Sequence, residues 1–287
     1  MAVKYSIVVP VYNEEGAIAG FLGELKGFLA SSGISAEVII VDDGSTDGSR
    51  AEAEKSGFKL ISHPYNKGYG AALKTGARAS AGEFIVFIDG DGQHKPSDIS
   101  LLLDESGNYD MVVGARVFDK TASFPRKIAK KILISLANYL SETRILDLNS
   151  GFRTVRKTML MDYIDYLPNA FSFTTTITVI CIKSGYNLKY VPITIEKRVG
   201  KSKINPFTDF TRFMMLLIRT TMLFTPLKVF LPMSLLLGLV GFIDLANNLM
   251  VEANIADSSV FLLTTSVLLF SFGLLSDQIS FLRRVRD

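Results

Sequence analysis

Up to about Arg219 the chain alternates short apolar runs with amphipathic stretches. Ser6–Val11 and Val38–Val41 are unbroken apolar runs bounded by polar turns, as expected of strands buried on both faces of a parallel sheet. Between them Ile18, Phe21, Leu22, Leu25, Phe28 and Leu29 recur on one helical face, so the opening unit is βαβ. Phe58–Ser62 predicts a third strand, Gly68–Ala79 a helix of small residues, and Phe84–Ile88 the central strand. Pro96 and Ser97 start a further helix. Asp110–Ala115 predicts a fifth strand, and Phe124–Leu140 a long basic amphipathic helix. After a loop at Asp147–Arg153, two helical segments lead to a last strand, Tyr190–Ile195. The expected class is α/β with a mostly parallel, Rossmann-like sheet, and no repeat or low-complexity tract interrupts it.

Beyond Arg219 the pattern changes. Fifteen uncharged residues separate Lys228 from Asp244, and nineteen separate Asp257 from Asp277. A bilayer core demands about 20 apolar residues. The second stretch meets that length, and the first reaches it with the apolar residues before Lys228. Spans are expected at about 226–246 and 259–280, with two buried helices of a large soluble core as the competing reading. The intervening Asn247–Ser259 carries Glu252 and Asp257 but no Lys or Arg, whereas Arg219, Lys228, Arg283, Arg284 and Arg286 lie on the outer flanks. That bias predicts a hairpin with both ends cytoplasmic. Pro206–Thr221 sets Phe207, Phe210, Phe213, Met214, Leu217 and Ile218 against Asp209, Arg212 and Arg219, which suits a helix lying on a membrane surface. The expected organisation is a catalytic domain over 1–204, an interfacial helix over 205–222 and a hairpin over 223–287.

Composition sharpens this. Mean hydropathy is +0.29 with 48% hydrophobic residues, high for a soluble enzyme, and the excess lies in the C-terminal stretches. A net charge of +3 over 287 residues, without a dense basic arm, argues against a nucleic-acid partner. Basic residues gather instead at Arg126–Lys131, Arg198–Lys203 and Arg283–Arg286. Cys181 is the sole cysteine, so no intrachain disulfide is possible and a reducing compartment is permitted. Met1–Val11 does not have the build of a signal peptide, which keeps the expected chemistry on the cytoplasmic side.

Candidate chemistry lies in two acidic loops, Val41-Asp42-Asp43-Gly44-Ser45-Thr46-Asp47 and Phe87-Ile88-Asp89-Gly90-Asp91-Gly92-Gln93. Each follows an apolar run, so both fall at the carboxyl ends of strands, where open α/β sheets hold their ligands. Crowded carboxylates repel unless a cation joins them, and hard oxygen donors suit Mg²⁺ or Mn²⁺. An ion there keeps open positions for nucleotide phosphates. Asp89 and Asp91 flank Gly90, so in a turn both can reach one ion. The Asp42-Asp43 loop also reads as an Asx turn, with Ser45 or Thr46 capping the next helix. Gly200-Lys201-Ser202 resembles part of a phosphate-binding loop, but Ile195 stands where that pattern needs glycine. Leu73 likewise replaces the third glycine of a dinucleotide fingerprint at Asn66–Gly70, which reads as tight helix packing. His94, beside Lys95, reads as solvent-facing, and His63 has no functional reading.

The Pro10-Val11-Tyr12-Asn13-Glu14 segment and the two acidic loops resemble family 2 glycosyltransferases of the GT-A fold. Asp147-Leu148-Asn149-Ser150-Gly151-Phe152-Arg153, Val191-Pro192-Ile193 and Arg198-Val199-Gly200-Lys201-Ser202-Lys203 narrow the resemblance. With the hairpin, they are similar to polyprenyl-phosphate glycosyltransferases such as dolichyl-phosphate mannose synthases and bactoprenol glucosyltransferases. The resemblance covers essentially the whole chain. It implies an inverting transfer of a hexose from a UDP- or GDP-sugar to a polyprenyl phosphate, dolichyl or undecaprenyl, dependent on Mg²⁺ or Mn²⁺. Pro10, Tyr12, Glu14, Asp42 and Asp43 would line the nucleotide pocket with Asp89, Gly90 and Asp91. Asp89, Asp91 and Gln93 would hold the metal. Arg116 and Arg198 would hold the diphosphate and the acceptor phosphate, with Lys203 closing over them.

Other roles stay open. Arg198–Lys203 is alternatively a solvated basic turn or a headgroup contact. Asp147 is either near the reacting centre or paired structurally with Arg153. Arg126, Lys130 and Ser135 face either the acceptor phosphate or anionic headgroups. Phe171-Ser172-Phe173-Thr174-Thr175-Thr176 departs from the Glu-ended segment that borders the sugar in mannose synthases, which leaves the sugar open. The rival functions are transfer to a soluble or polysaccharide acceptor and a catalytically silent membrane scaffold. The resemblance implies an integral membrane protein with a cytoplasmic catalytic domain, and permits a homo-oligomer.

Overall fold

The computed structural model describes residues 4–116, 146–147, 150–170, 172–194, 221–222, 225–251 and 253–286. The helix expected at Phe124–Leu140, with Arg126, Lys130 and Ser135, lies outside them, as do Arg198–Lys203 and most of the expected surface helix. The described residues before 205 form one compact unit, and those from 221 onward form another.

In the first unit, the strands are β1 (Tyr5–Val11), β2 (Ala36–Asp42), β3 (Lys59–Ser62), β4 (Phe84–Phe87), β5 (Met111–Arg116), β6 (Arg153–Arg156) and β7 (Leu188–Ile193). They form one sheet in the order β3-β2-β1-β4-β6-β5-β7, with β4 central. Every pairing is parallel except the two made by β6. The parallel strands therefore empty their carboxyl ends along one edge, and β6 begins there.

Period-2 burial splits the apolar runs between two faces. Ile7, Val9, Val11, Val38, Ile40 and Val86 join Ile18, Phe21, Leu22 and Leu25 of helix α1 (Glu15–Ser32) in one core. The other face is covered by α3 (Tyr69–Ala79) and α6 (Phe173–Lys183); between α1 and α3 comes the short α2 (Ser49–Lys55). Helix α4 (Ile99–Ser106), led in by a 3₁₀ turn at Pro96–Asp98, and α5 (Lys157–Tyr163) complete the described helices of this unit.

Strand β6 has no counterpart in the pattern reading, which places a loop up to Arg153 and then helix. The sequence Arg-Thr-Val-Arg is not an apolar run. Arg153 is nonetheless fully buried, because backbone carbonyls and Thr178 accept its guanidinium hydrogens. Burial without such partners would be prohibitive.

The second unit is a helical hairpin, α7 (Leu227–Val251) and α8 (Asp257–Arg286). Its two apolar segments, 25 and 26 residues long with mean hydropathies of 2.1 and 1.9, are long and apolar enough to cross a bilayer. Only 11% of the most apolar 18-residue window of each is buried. That exposure is the reverse of what two core helices of a soluble protein show. Asp244 Oδ2 accepts hydrogen bonds from Ser258 and Ser259, both at 2.7 Å, across the turn. Ser266 Oγ donates to the Ser234 carbonyl at 2.7 Å, and Gly241 and Gly273 lie where the helices approach closely.

Candidate active site

Strands β1 and β2 run in register to Val11–Asp42, so the turns that follow them emerge side by side. Pro10 is buried inside β1 and shares the side of Val8, past the point where pairing with β4 ends at Val8–Phe87. Its missing N–H therefore leaves no gap in the ladder. Asn13, with φ of 54°, turns the chain back. Its N–H donates to Ser45 Oγ at 3.1 Å, and its Oδ1 accepts the Thr46 N–H at 2.8 Å. The Glu14 N–H donates to Ser49 Oγ at 2.8 Å. The two turns are thus zipped together, with Tyr12 exposed at the rim.

Asp42 Oδ1 accepts the Ser45 N–H at 3.1 Å, three residues on rather than the two of the expected Asx turn. The N-cap position of α2 is Gly48, past the residues expected. Asp47, not Ser45 or Thr46, accepts the leading N–H groups of α2 and α1, from Ser49 at 3.0 Å and Glu15 at 3.3 Å. Burial raises the Asp47 carboxyl, but the bonds from Ser49 and Glu15 outweigh it and hold the group below the usual carboxylate range.

Asp43 turns inward. Its Oδ1 accepts the Lys67 N–H at 2.9 Å and meets His63 Nδ1 at 2.7 Å, while Oδ2 accepts the Gly68 N–H at 2.8 Å. His63 Nε2 in turn meets Thr75 Oγ1 at 2.9 Å. With three protein partners, this carboxylate is a brace for the loop. His63, which carries no reading in sequence, is part of that brace. Gly44, at φ 72°, allows the loop to pass the Tyr65–Asn66 backbone, where a Cβ would stand 2.5 Å from the Tyr65 carbonyl carbon.

The second acidic turn leaves β4. Asp89 is half-buried, and Asp91 is buried with its Oδ1 accepting the Gln93 N–H at 3.1 Å. Tyr69, at the start of α3, donates its hydroxyl hydrogen to Asp89 Oδ1 at 2.8 Å. Burial and the neighbouring Asp89 charge push that phenol well above its ordinary range, so it stays a donor. Because β6 runs antiparallel and pairs Arg153 with Phe87, residues 150–152 reach the same edge. Gly151 lies against Asp89; a Cβ there would stand 2.6 Å from Asp89 Oδ2 and 2.5 Å from the Tyr69 hydroxyl. His94 is buried, not solvent-facing, and stacks on Phe152 with ring centroids 5.1 Å apart. The apolar ring beside it, not the charge of Lys95, decides its place.

Arg153 donates to the Thr174 carbonyl at 2.8 Å, to Thr178 Oγ1 at 2.9 Å and to the Ser150 carbonyl. It ties β6 to α6, all of whose residues from Phe173 to Cys181 are buried. Burial lowers its pKa, opposed by Tyr69, Tyr190 and the half-buried Asp147. Arg116 closes β5 on the same sheet edge, its backbone alone being described.

Among the described residues, no three His, Cys, Asp or Glu side chains are grouped to hold a metal ion. Asp89 and Asp91 fit one differently. Two carboxylates with a side-chain amide nearby are hard oxygen donors, and Mg²⁺ commonly takes one or two carboxylates with phosphate oxygens and water completing its shell.

The glycosyl transferase family 2 model matches residues 6–165, which spans β1 through α5. This chain belongs to that family. Residues 225–282 match the GtrB C-terminal hairpin, so the family 2 domain and that hairpin lie in the same polypeptide. A dolichyl-phosphate hexose transferase of Haloferax volcanii is 29% identical over 205 residues, 70% of this chain and 87% of that protein. An undecaprenyl-phosphate 4-deoxy-4-formamido-L-arabinose transferase of Aeromonas hydrophila is 30% identical over 158 residues, 53% of this chain and 48% of that longer protein. Among solved structures, glucosyl-3-phosphoglycerate synthase from Mycobacterium tuberculosis, in complex with Mn²⁺, UDP-glucose and phosphoglyceric acid, superposes with a TM-score of 0.60. At 18% identity over 76% of this chain and 79% of that one, it shares the fold. The chain is a glycosyltransferase with a GT-A-like sheet and a hairpin of two apolar helices.

Proposed function

We propose that this glycosyltransferase moves a hexose from a nucleotide sugar to a polyprenyl phosphate, making a lipid-linked monosaccharide with inversion at the anomeric carbon. One observation carries the reading: a carboxylate-rimmed strand edge and a hairpin with an exposed apolar surface belong to one chain. The dolichyl- and undecaprenyl-phosphate transferases among its relatives, and the nucleotide sugar and Mn²⁺ in its structural neighbour, support it.

In this reading Tyr12, Glu14 and Asp42 receive the nucleoside, with Pro10 shaping the wall and Asp43 bracing the loop. Asp89, Asp91 and Gln93 hold Mg²⁺ or Mn²⁺, with Gly90 letting the backbone approach the diphosphate. When bound, the ion supplies Lewis-acid stabilisation of the departing diphosphate. Arg116 and Arg198 add bidentate donors to the same charge, and Lys203 closes over it. Arg126, Lys130 and Ser135 receive the acceptor phosphate, and Asp147 sits near the reacting centre. A phosphate monoester is ionised at pH 7, so its oxygen attacks without a strong general base. The hairpin spans the bilayer with both termini and the catalytic half on the cytoplasmic side. The prenyl tail then stays in lipid while its phosphate reaches the site.

The test offers labelled UDP- and GDP-hexoses to membranes carrying the full-length protein, with and without added polyprenyl phosphate. Label entering the organic phase only with the added lipid is expected. Label confined to aqueous or polymeric products would transfer the case to a soluble or polysaccharide acceptor.

A further inference from the structure

Tyr69 lies in the segment read as tight helix packing and carries no expected binding or catalytic role, yet it touches the acidic turn directly. Its hydroxyl donates to Asp89 Oδ1 at 2.8 Å from the first residue of α3, a rigid support. Gly151 packs against both groups, since a Cβ there would stand 2.5 Å from the Tyr69 hydroxyl and 2.6 Å from Asp89 Oδ2. Phe152, the next residue, stacks on His94 of the same turn. Asp89 therefore meets both α3 and the approach to β6, and the Tyr69 hydroxyl is a hydrogen-bond donor of defined direction. Gly70 beside it lies against the Pro168 carbonyl, which fixes the start of α3 and hence the ring.

We propose that Tyr69 is a positioning residue that sets the orientation of the Asp89 carboxylate toward a divalent cation. The proposal rests on the reading of Asp89 and Asp91 as cation ligands. A hydrogen bond to a ligating carboxylate fixes its rotamer before the ion arrives, and losing such an outer partner changes metal affinity or activity by about 10–100-fold. Tyr69→Phe keeps the ring and removes only the donor.

The experiment is Mn²⁺ titration of the full-length protein in detergent, read by the electron paramagnetic resonance of free Mn²⁺, with UDP or GDP present. Tyr69→Phe is expected to raise the Mn²⁺ dissociation constant about tenfold, with the melting temperature of the metal-free protein unchanged. In an Asp89→Ala background the same substitution is expected to add nothing, because its route runs through that carboxylate. Gly151→Ala, whose methyl would press on both the Tyr69 hydroxyl and Asp89 Oδ2, is expected to weaken Mn²⁺ likewise and serves should Tyr69→Phe fail to fold. Wild-type Mn²⁺ affinity in whichever of these two variants folds, or an undiminished Tyr69→Phe effect in the Asp89→Ala background, would overturn the proposal. Wild-type affinity in Asp89→Ala and Asp91→Ala would instead remove the cation reading on which it stands.

Discussion

The two halves of this chain sort their side chains in opposite directions. In the sheet unit Ile7, Val9, Leu25 and Val86 are hidden, and carboxylates collect at one rim. In the hairpin Leu235, Leu236, Phe242, Phe261 and Val267 are all more than half exposed, whereas Ser234, Ser259 and Ser280 are buried. A soluble protein rarely leaves so large a contiguous apolar surface in water. The difference teaches that one polypeptide is built for two solvents. Hydrophobic burial organises the sheet unit. In lipid that force is absent between helices, and close approach at small residues and interhelical hydrogen bonds take its place. Gly241, Gly273 and the Asp244–Ser258–Ser259 cluster supply both.

The largest effect expected from breaking one side of this contrast is chemical. Asp91→Ala, or EDTA treatment of the wild type, is expected to reduce sugar transfer on the order of 10³-fold by removing charge stabilisation of the leaving group. Transfer assays with and without added Mn²⁺ measure it; full activity of Asp91→Ala in EDTA would refute the role. Next comes packing. Leu25→Ala is expected to destabilise the sheet unit by about 2–5 kcal/mol. Leu236→Ala, on the exposed face of α7, is expected to change that transition by no more than about 0.5 kcal/mol. Denaturant unfolding in detergent compares them, and equal effects would erase the contrast. The smallest effect is polar. Ser259→Ala removes one of the two hydroxyl donors to Asp244 and is expected to weaken the hairpin by about 0.6 kcal/mol, while transfer activity holds. A loss of several kcal/mol in helix-unfolding assays would show that the hairpin depends on that cluster far more than a lipid-solvated pair should.

The parallel strands were legible because burial on both faces leaves unbroken apolar runs at Ser6–Val11 and Phe84–Ile88. The acidic turns were legible because they follow those runs. Strand β6 was hidden because its energetics are tertiary: Arg153 is buried only by virtue of acceptors at Ser150, Thr174 and Thr178. The burial of His94 is hidden for the same reason, its partner Phe152 lying 58 positions along the chain. Asp43 and Tyr69 show a third kind of gap. Sequence places a carboxylate at a strand end, but only the fold says whether it faces a ligand or a neighbouring N–H. A signal for Tyr69 did exist, since it sits in a glycine-flanked turn that opens a helix beside both acidic loops.

The central proposal is that the hairpin crosses a bilayer with both ends cytoplasmic and its turn on the non-cytoplasmic side. Cysteine accessibility tests it most directly. Cys181 is buried and its thiol is pushed up to about 12, chiefly by burial, so the native residue stays silent toward maleimides. Ser258→Cys, at the exposed start of α8, supplies the reporter. In sealed membrane vesicles of known orientation, labelling from the non-cytoplasmic face alone is predicted. Labelling from the cytoplasmic face alone, or recovery of the full-length protein in the soluble fraction without detergent, would contradict the account.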